Sequence, residues 1–156
     1  MIHHPVPTAT SRRGPLSGKV AVVTGAGRGI GRAIALGYAR AAIPHLRRRG
    51  GGKILVMGSG TRMRASAGQS AYAASKLAVW MLTQTLAVEL QDAEISVNEL
   101  IPGPVKTALT GHGQARFPAG EWIKEPEDVV PLALHLATQP ARGPTAQSYS
   151  LMRRSA

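Results

Sequence analysis

The chain reads as an α/β domain built on a parallel sheet, and two patterns predict it. Short β-branched runs, Val20 to Val23 and "ILVM", are continuous rather than alternating, as strands buried on both faces are. The segments between such runs carry apolar residues at helical spacing, and parallel strands need helical crossovers to connect them. With 156 residues and 44% hydrophobic content, the chain has material for one genuine core and little more.

The elements follow in order. After Val20–Val23 the chain turns through glycines into a segment with Ile30, Ile34, Leu36 and Tyr38, a helix starting near Gly29. "GGKILVMGS" is a second strand, entered through Gly50 to Gly52. From Ser70 to about Leu90, apolar residues at Leu77, Trp80, Met81, Leu86 and Leu90 predict one long amphipathic helix. "AEISVNELIPGP" contains a third strand, Ile95 to Leu100, stopped by Pro102 and Gly103. Thr107 to Lys124 has no clear period and holds three glycines and a proline, so a loop with a short helix is expected. "EPEDVVPLALHLATQ" is a further helix, with Pro126 early and acids in its first turn, and "TAQSYSLM" closes with a short strand. Residues 1–15 are expected to be a flexible arm, which leaves 16–156 as a single shortened domain.

Charge and composition exclude several functions. The net charge of +11 is uneven: thirteen Lys or Arg and no carboxylate precede Glu89, and six basic and eight acidic residues occur from Glu89 onward. Such a field attracts phosphate. Nucleic acid is nevertheless an unfavoured partner, because aromatic residues at 4% leave few stacking positions and no reading helix is recognisable. The absence of cysteine removes thiolate chemistry and suits a cytoplasmic location. No apolar run reaches the ~18 residues of a membrane span, and the N-terminus lacks the apolar centre of a secretory signal. The five histidines are scattered without ligand spacing, so no metal site is expected. "MGSGT" lacks the flanking glycines of a serine-hydrolase elbow.

Two motifs carry chemistry. "TGAGRGIG", Thr24 to Gly31, lies between a strand and a helix, where side-chain-free backbone lets pyrophosphate approach the amides and the helix dipole favours the negative charge. It is neither the common G-x-G-x-x-G nor a P-loop. "YAASK" sets Tyr72 and Lys76 one helical turn apart on one face, so an ammonium stands near the phenol and favours its phenolate. A phenol so placed can exchange a proton with an oxygen of a bound molecule, and Ser59, at the C-terminal end of a strand, can hydrogen-bond the same oxygen.

These residues resemble the short-chain dehydrogenase/reductase family. The resemblance covers Thr-Gly-x-x-x-Gly-x-Gly at Thr24, Gly25, Gly29 and Gly31, Tyr-x-x-x-Lys at Tyr72 and Lys76, and a serine thirteen positions before the tyrosine at Ser59. It extends to "VNELIPGPVKT", with Asn98, Pro102, Gly103 and Thr107, and to "PEDVV" and "GPTAQSYSLM", where Ala146 stands in place of a usual glycine. It implies a Rossmann-like doubly wound sheet and an NAD(P)-dependent oxidoreductase acting on a small carbonyl or alcohol. Ser59, Tyr72 and Lys76 would be catalytic. Thr24, Gly25, Arg28, Gly29, Ile30, Gly31, Tyr72, Lys76, Pro102, Gly103 and Thr107 would contact cofactor. Arg28 favours NADP(H) over NAD(H), since a guanidinium pairs with the 2′-phosphate. A homo-oligomer through the Ser70–Leu90 helix is also implied.

One departure qualifies the resemblance. Only thirty-four positions separate Gly25 from Ser59, room for one crossover of ~30 residues, where the family has further strands and helices. An internal deletion near Ala41 to Ile43 would leave strand order 1-5-6-7 of the family's seven. It would also remove the family's residues beneath the adenine and its catalytic asparagine. Asn98 belongs to a different motif and does not replace that asparagine. The alternative reading is therefore a non-catalytic remnant that acts through dimerisation.

Overall fold

Four parallel strands form one sheet in chain order: β1 (Ala21–Gly25), β2 (Gly52–Met57), β3 (Ile95–Ile101) and β4 (Ser148–Ser150). The structure, a computed structural model, describes residues 21–25, 41–64, 66–113, 117 and 120–152. The arm over 1–15 and the helix start near Gly29 lie outside the described residues. Helical backbone over 41–48 is α1. Two longer helices follow, α2 (Ser70–Glu89) and α3 (Val130–Thr138).

Register places the C-terminal ends of the strands along one edge. Gly25 is opposite Met57, and Met57 is opposite Leu100. The first strand thus pairs directly with the strand that leads to Ser59, and β3 separates that strand from β4. Every residue of β3 is buried, as is the centre of β2. This double burial explains the continuous apolar run of β2, Ile54 to Met57, whereas β3 also buries Ser96, Asn98 and Glu99.

The two faces have different covers. Ile54, Val56, Ile95 and Val97 pack with Leu46 of α1 and with Val79, Leu86 and Ala87 of α2. Leu55 and Leu100, pointing the other way, pack with Leu136 and Ala137 of α3. Each such aliphatic side chain contributes about 1.5–3 kcal/mol when fully buried, so the pleat's alternation sorts the core into two layers.

The structure corrects the expected helix face over Ser70–Leu90. Leu86 and Leu90 point inward with Val79 and Thr83, but Leu77 and Met81 are 49% and 53% exposed. α2 is apolar nearly all round, so two stripes fitted the spacing and burial against the sheet chose between them. Leu77, Met81 and Val88 are left on the outer face.

The helix after Glu125 also divides. A 3-10 turn, Pro126–Val129, precedes α3 and is held by a capping box in which Glu125 and Asp128 exchange hydrogen bonds. Pro131 has no N–H to donate to the Glu127 carbonyl, which interrupts the helical ladder there. The loop between β3 and this turn is closed at its base by a parallel bridge of Val105 with Lys124. Within it Ala108–Gly113 forms the expected short helix, of 3-10 type. No helix among the described residues is long and apolar enough to cross a membrane.

Ala146 has φ +58°, left-handed backbone where its methyl group crowds the following carbonyl. Its amide bonds Val97 O at 2.8 Å, and its carbonyl accepts from Gln84 at 3.0 Å, so both partners hold it there. The usual glycine would occupy this position without strain. Ala146→Gly should therefore raise the free energy of unfolding by about 1 kcal/mol, measurable by urea titration.

Candidate active site

The C-terminal ends of β1, β2 and β3 lie side by side, with Thr24 and Gly25 on β1, Ser59 just after β2, and Pro102 and Gly103 just after β3. β2 ends at Met57, and Gly58 and Ser59 continue into a 3-10 turn, Gly60–Arg62, for which Ser59 is the N-cap. Ser59 is half-buried; its Oγ accepts from the Thr61 amide at 3.3 Å and lies 3.0 Å from Thr61 Oγ1. α2 packs against this turn. Tyr72 is the third residue of α2, at the end whose free N–H groups and dipole favour negative charge.

Lys76 joins these parts. Its Nζ lies 5.7 Å from the centroid of the Tyr72 ring and donates to Met57 O at 3.1 Å. The ammonium is therefore fixed between the phenol one turn back and the strand end that leads to Ser59. Burial pushes the Lys76 pKa down from 10.5, and the nearby Glu99 carboxylate opposes that shift.

Gly25 and Thr24, at the end of β1, stand beside Met57 and Val56. Arg28, Gly29, Ile30 and Gly31 lie outside the described residues. Pro102 and Gly103 follow β3, and Gly103 has φ +71°. A Cβ there would meet Met152 Cγ at 3.0 Å and Lys124 Nζ at 3.3 Å, so the turn requires glycine. Thr107 lies farther along the chain, where its amide donates to Thr110 Oγ1 at 2.9 Å. Asn98 is a tie inside the fold: it donates to Pro144 O at 2.7 Å and accepts from the Gln147 amide at 3.0 Å.

Three charged residues near this edge were not among the expected site residues. Glu99 is fully buried and paired with Arg62 at 2.7 Å. Lys124 is fully buried at the base of the loop; its Nζ donates to Trp122 O at 2.9 Å and sits 4.5 Å over the Trp122 ring. Glu99 had a legible signal, a carboxylate inside the strand "ISVNELI". Arg62 and Lys124 had none, because surface loops commonly carry cations. Among the described residues, no group of three His, Asp or Glu side chains is placed to hold a metal.

Lys76 has a defined linkage sign. Below its folded pKa it is protonated in both states, so the folded chain bears the full cost of burying the charge. Between that pKa and 10.5 the unfolded chain binds more protons, and stability rises with pH. The unfolding free energy of the wild type minus that of Lys76→Met should increase from pH 8 to pH 10.5, as urea titrations at several pH values would show. A pH-independent difference would contradict the burial of a charged Lys76.

A family model described as short chain dehydrogenase matches residues 36–116, just over half of the chain. A short-chain type dehydrogenase/reductase of Picea abies is 36% identical over 116 residues, covering 69% of this chain and 43% of the relative. Dehydrogenase/reductase SDR family member 4 of Homo sapiens is 41% identical over 71 residues, covering 46% of this chain and 26% of that protein. The chain thus spans less than half the length of these curated relatives. Among solved structures, a 3-ketoacyl-(acyl-carrier-protein) reductase from Brucella melitensis complexed with NADH matches with a TM-score of 0.73 and 26% identity, over 86% of this chain and 67% of that one. The parallel sheet with helices on both faces is the Rossmann-like arrangement of these neighbours, and the chain belongs to the short-chain dehydrogenase/reductase family.

Proposed function

We propose that the chain is an NAD(P)-dependent oxidoreductase that interconverts a carbonyl and an alcohol. The observation that carries this reading is the placement of Lys76 Nζ, 5.7 Å from the Tyr72 ring and bonded to Met57 O at the strand end leading to Ser59. A phenol beside a fixed ammonium and a half-buried hydroxyl on an adjoining turn is a donor set suited to a carbonyl or alcohol oxygen.

In this reading Ser59 hydrogen-bonds the substrate oxygen and Tyr72 gives or takes its proton. Lys76 stands beside the phenol and also holds the nicotinamide ribose. The nicotinamide supplies or accepts the hydride at the carbon. Thr24, Gly25, Arg28, Gly29, Ile30 and Gly31 form the phosphate-binding segment, and Pro102, Gly103 and Thr107 flank the nicotinamide. The donor set fits the cofactor in one further respect: Gly25 lies beside Met57, so the glycine segment begins next to the proton-transfer residues. Arg28 favours NADP(H) over NAD(H). A cysteine-free chain suits a cytoplasmic setting.

The wild-type chain should quench or shift NADPH fluorescence with micromolar affinity, and Lys76→Ala should weaken that binding. Tyr72→Phe should retain binding and lose turnover of a simple aldehyde or ketone by about 10²–10⁴-fold. Absence of binding up to millimolar NADPH would remove the enzymatic reading and leave the dimerisation one.

The exposed Leu77, Met81 and Val88 on α2 support a second copy of the chain as its cover. Sedimentation should find an oligomer at micromolar concentration that Leu77→Glu/Met81→Glu converts to monomer. An unchanged mass would place the contact elsewhere.

A further inference from the structure

Glu99 lies in a strand buried along its whole length, and the proton-transfer chemistry does not use it. Its side chain is 0% exposed and that of Arg62 is 10% exposed. Arg62 Nε donates to both carboxylate oxygens at 3.2 Å, and Nη2 donates to Oε2 at 2.7 Å. Ser148 on β4 completes the network, donating to Oε2 at 2.6 Å and accepting from Arg62 Nη2 at 2.9 Å. From α2, Trp80 places its ring 5.1 Å from the guanidinium carbon.

We propose that Arg62 and Glu99 are positioning residues for Ser59: their ion pair clamps the serine-bearing turn to the end of β3. The proposal rests on the reading of Ser59 as the group that holds the substrate oxygen.

The geometry grips the turn from both sides. Ahead of Ser59, a Cβ on Gly58 would stand 2.0 Å from Glu99 Oε1, so the carboxylate occupies the side-chain space of that residue. The Gly58 amide meanwhile donates to Leu100 O at 2.8 Å. Behind Ser59, Arg62 ends the turn and returns its fork to the same carboxylate. A buried pair of this kind adds little net stability, because desolvating both charges offsets their attraction. A bidentate guanidinium does add direction, since its plane is fixed by two N–H vectors. The clamp therefore controls where the turn lies more than whether the sheet forms. The charge of the same carboxylate also opposes the effect of burial on Lys76.

Arg62→Met/Glu99→Leu removes both charges and keeps the volume, and Arg62→Lys keeps the charge without the fork. Amide exchange reads the clamp without requiring activity. In both variants the Met63 amide, which bonds Gly60 O at 2.9 Å, should exchange about tenfold faster, with the β3 amides unchanged. With an aldehyde or ketone and NADPH, kcat should fall about tenfold while KM and NADPH affinity stay within about twofold, Arg62→Lys losing less than the double variant. Unchanged Met63 exchange would overturn the clamp. Faster exchange with wild-type kcat would overturn the positioning role. If the wild type binds no NADPH, the functional reading fails separately, and Met63 exchange alone confirms or overturns the clamp.

Discussion

Because β2 and β3 are covered on both faces, by α1 and α2 on one side and α3 on the other, their parallel pairing sets the position of everything at the sheet's edge. A slip of one residue would turn Ile54 and Val56 away from α2 and expose Lys53 to the apolar layer, so the register is strongly specified. Once it is set, Met57 lies opposite Leu100, the Gly58 amide donates to the Leu100 carbonyl, and Ser59 follows into the 3-10 turn. Register thus brings the strand ends together, and the Arg62–Glu99 pair and the Val105–Lys124 bridge act on the loops that leave them.

The interior also carries more charge than an apolar core would suggest. Lys53, Lys76, Glu99 and Lys124 are all buried. Each has a partner: Lys53 donates to Ser96 and to carbonyls of Pro140 and Ala141, Lys76 to Met57 O, Lys124 to Trp122 O, and Glu99 accepts from Arg62 and Ser148. Partnering reduces the cost of desolvation and fixes direction, since each bond holds only in one arrangement of the elements. Three of these groups lie at the edge where the chemistry is proposed. Lys53 lies among the 140–141 carbonyls and ties β2 to the segment entering β4.

α2 serves two surfaces. Its inner stripe of Lys76, Val79, Thr83 and Leu86 places the ammonium against the strand end, while Leu77, Met81 and Val88 form an outer stripe. A helix with apolar residues on both sides completes the core with one stripe and leaves the other exposed. The same property explains why periodicity alone did not identify its inner face.

The strands, the long helix and the Ser59, Tyr72, Lys76 pattern were legible in the sequence, because β-branched runs, helical spacing and an i to i+4 pair are local properties. Proline marked the start of the 125–138 helical region for the same reason, although the split at Pro131 depended on one missing amide. The family resemblance marked Ala146 as a usual glycine position, and its left-handed backbone supplies the physical cause. What local pattern did not contain was the pairing of distant charges. Arg62 is thirty-seven positions from Glu99, and Lys76 is nineteen from the carbonyl it binds. Only the tertiary structure decided these partners, because a charge enters the interior where the fold supplies its counterpart, and that counterpart is set by strand register rather than by neighbouring residues.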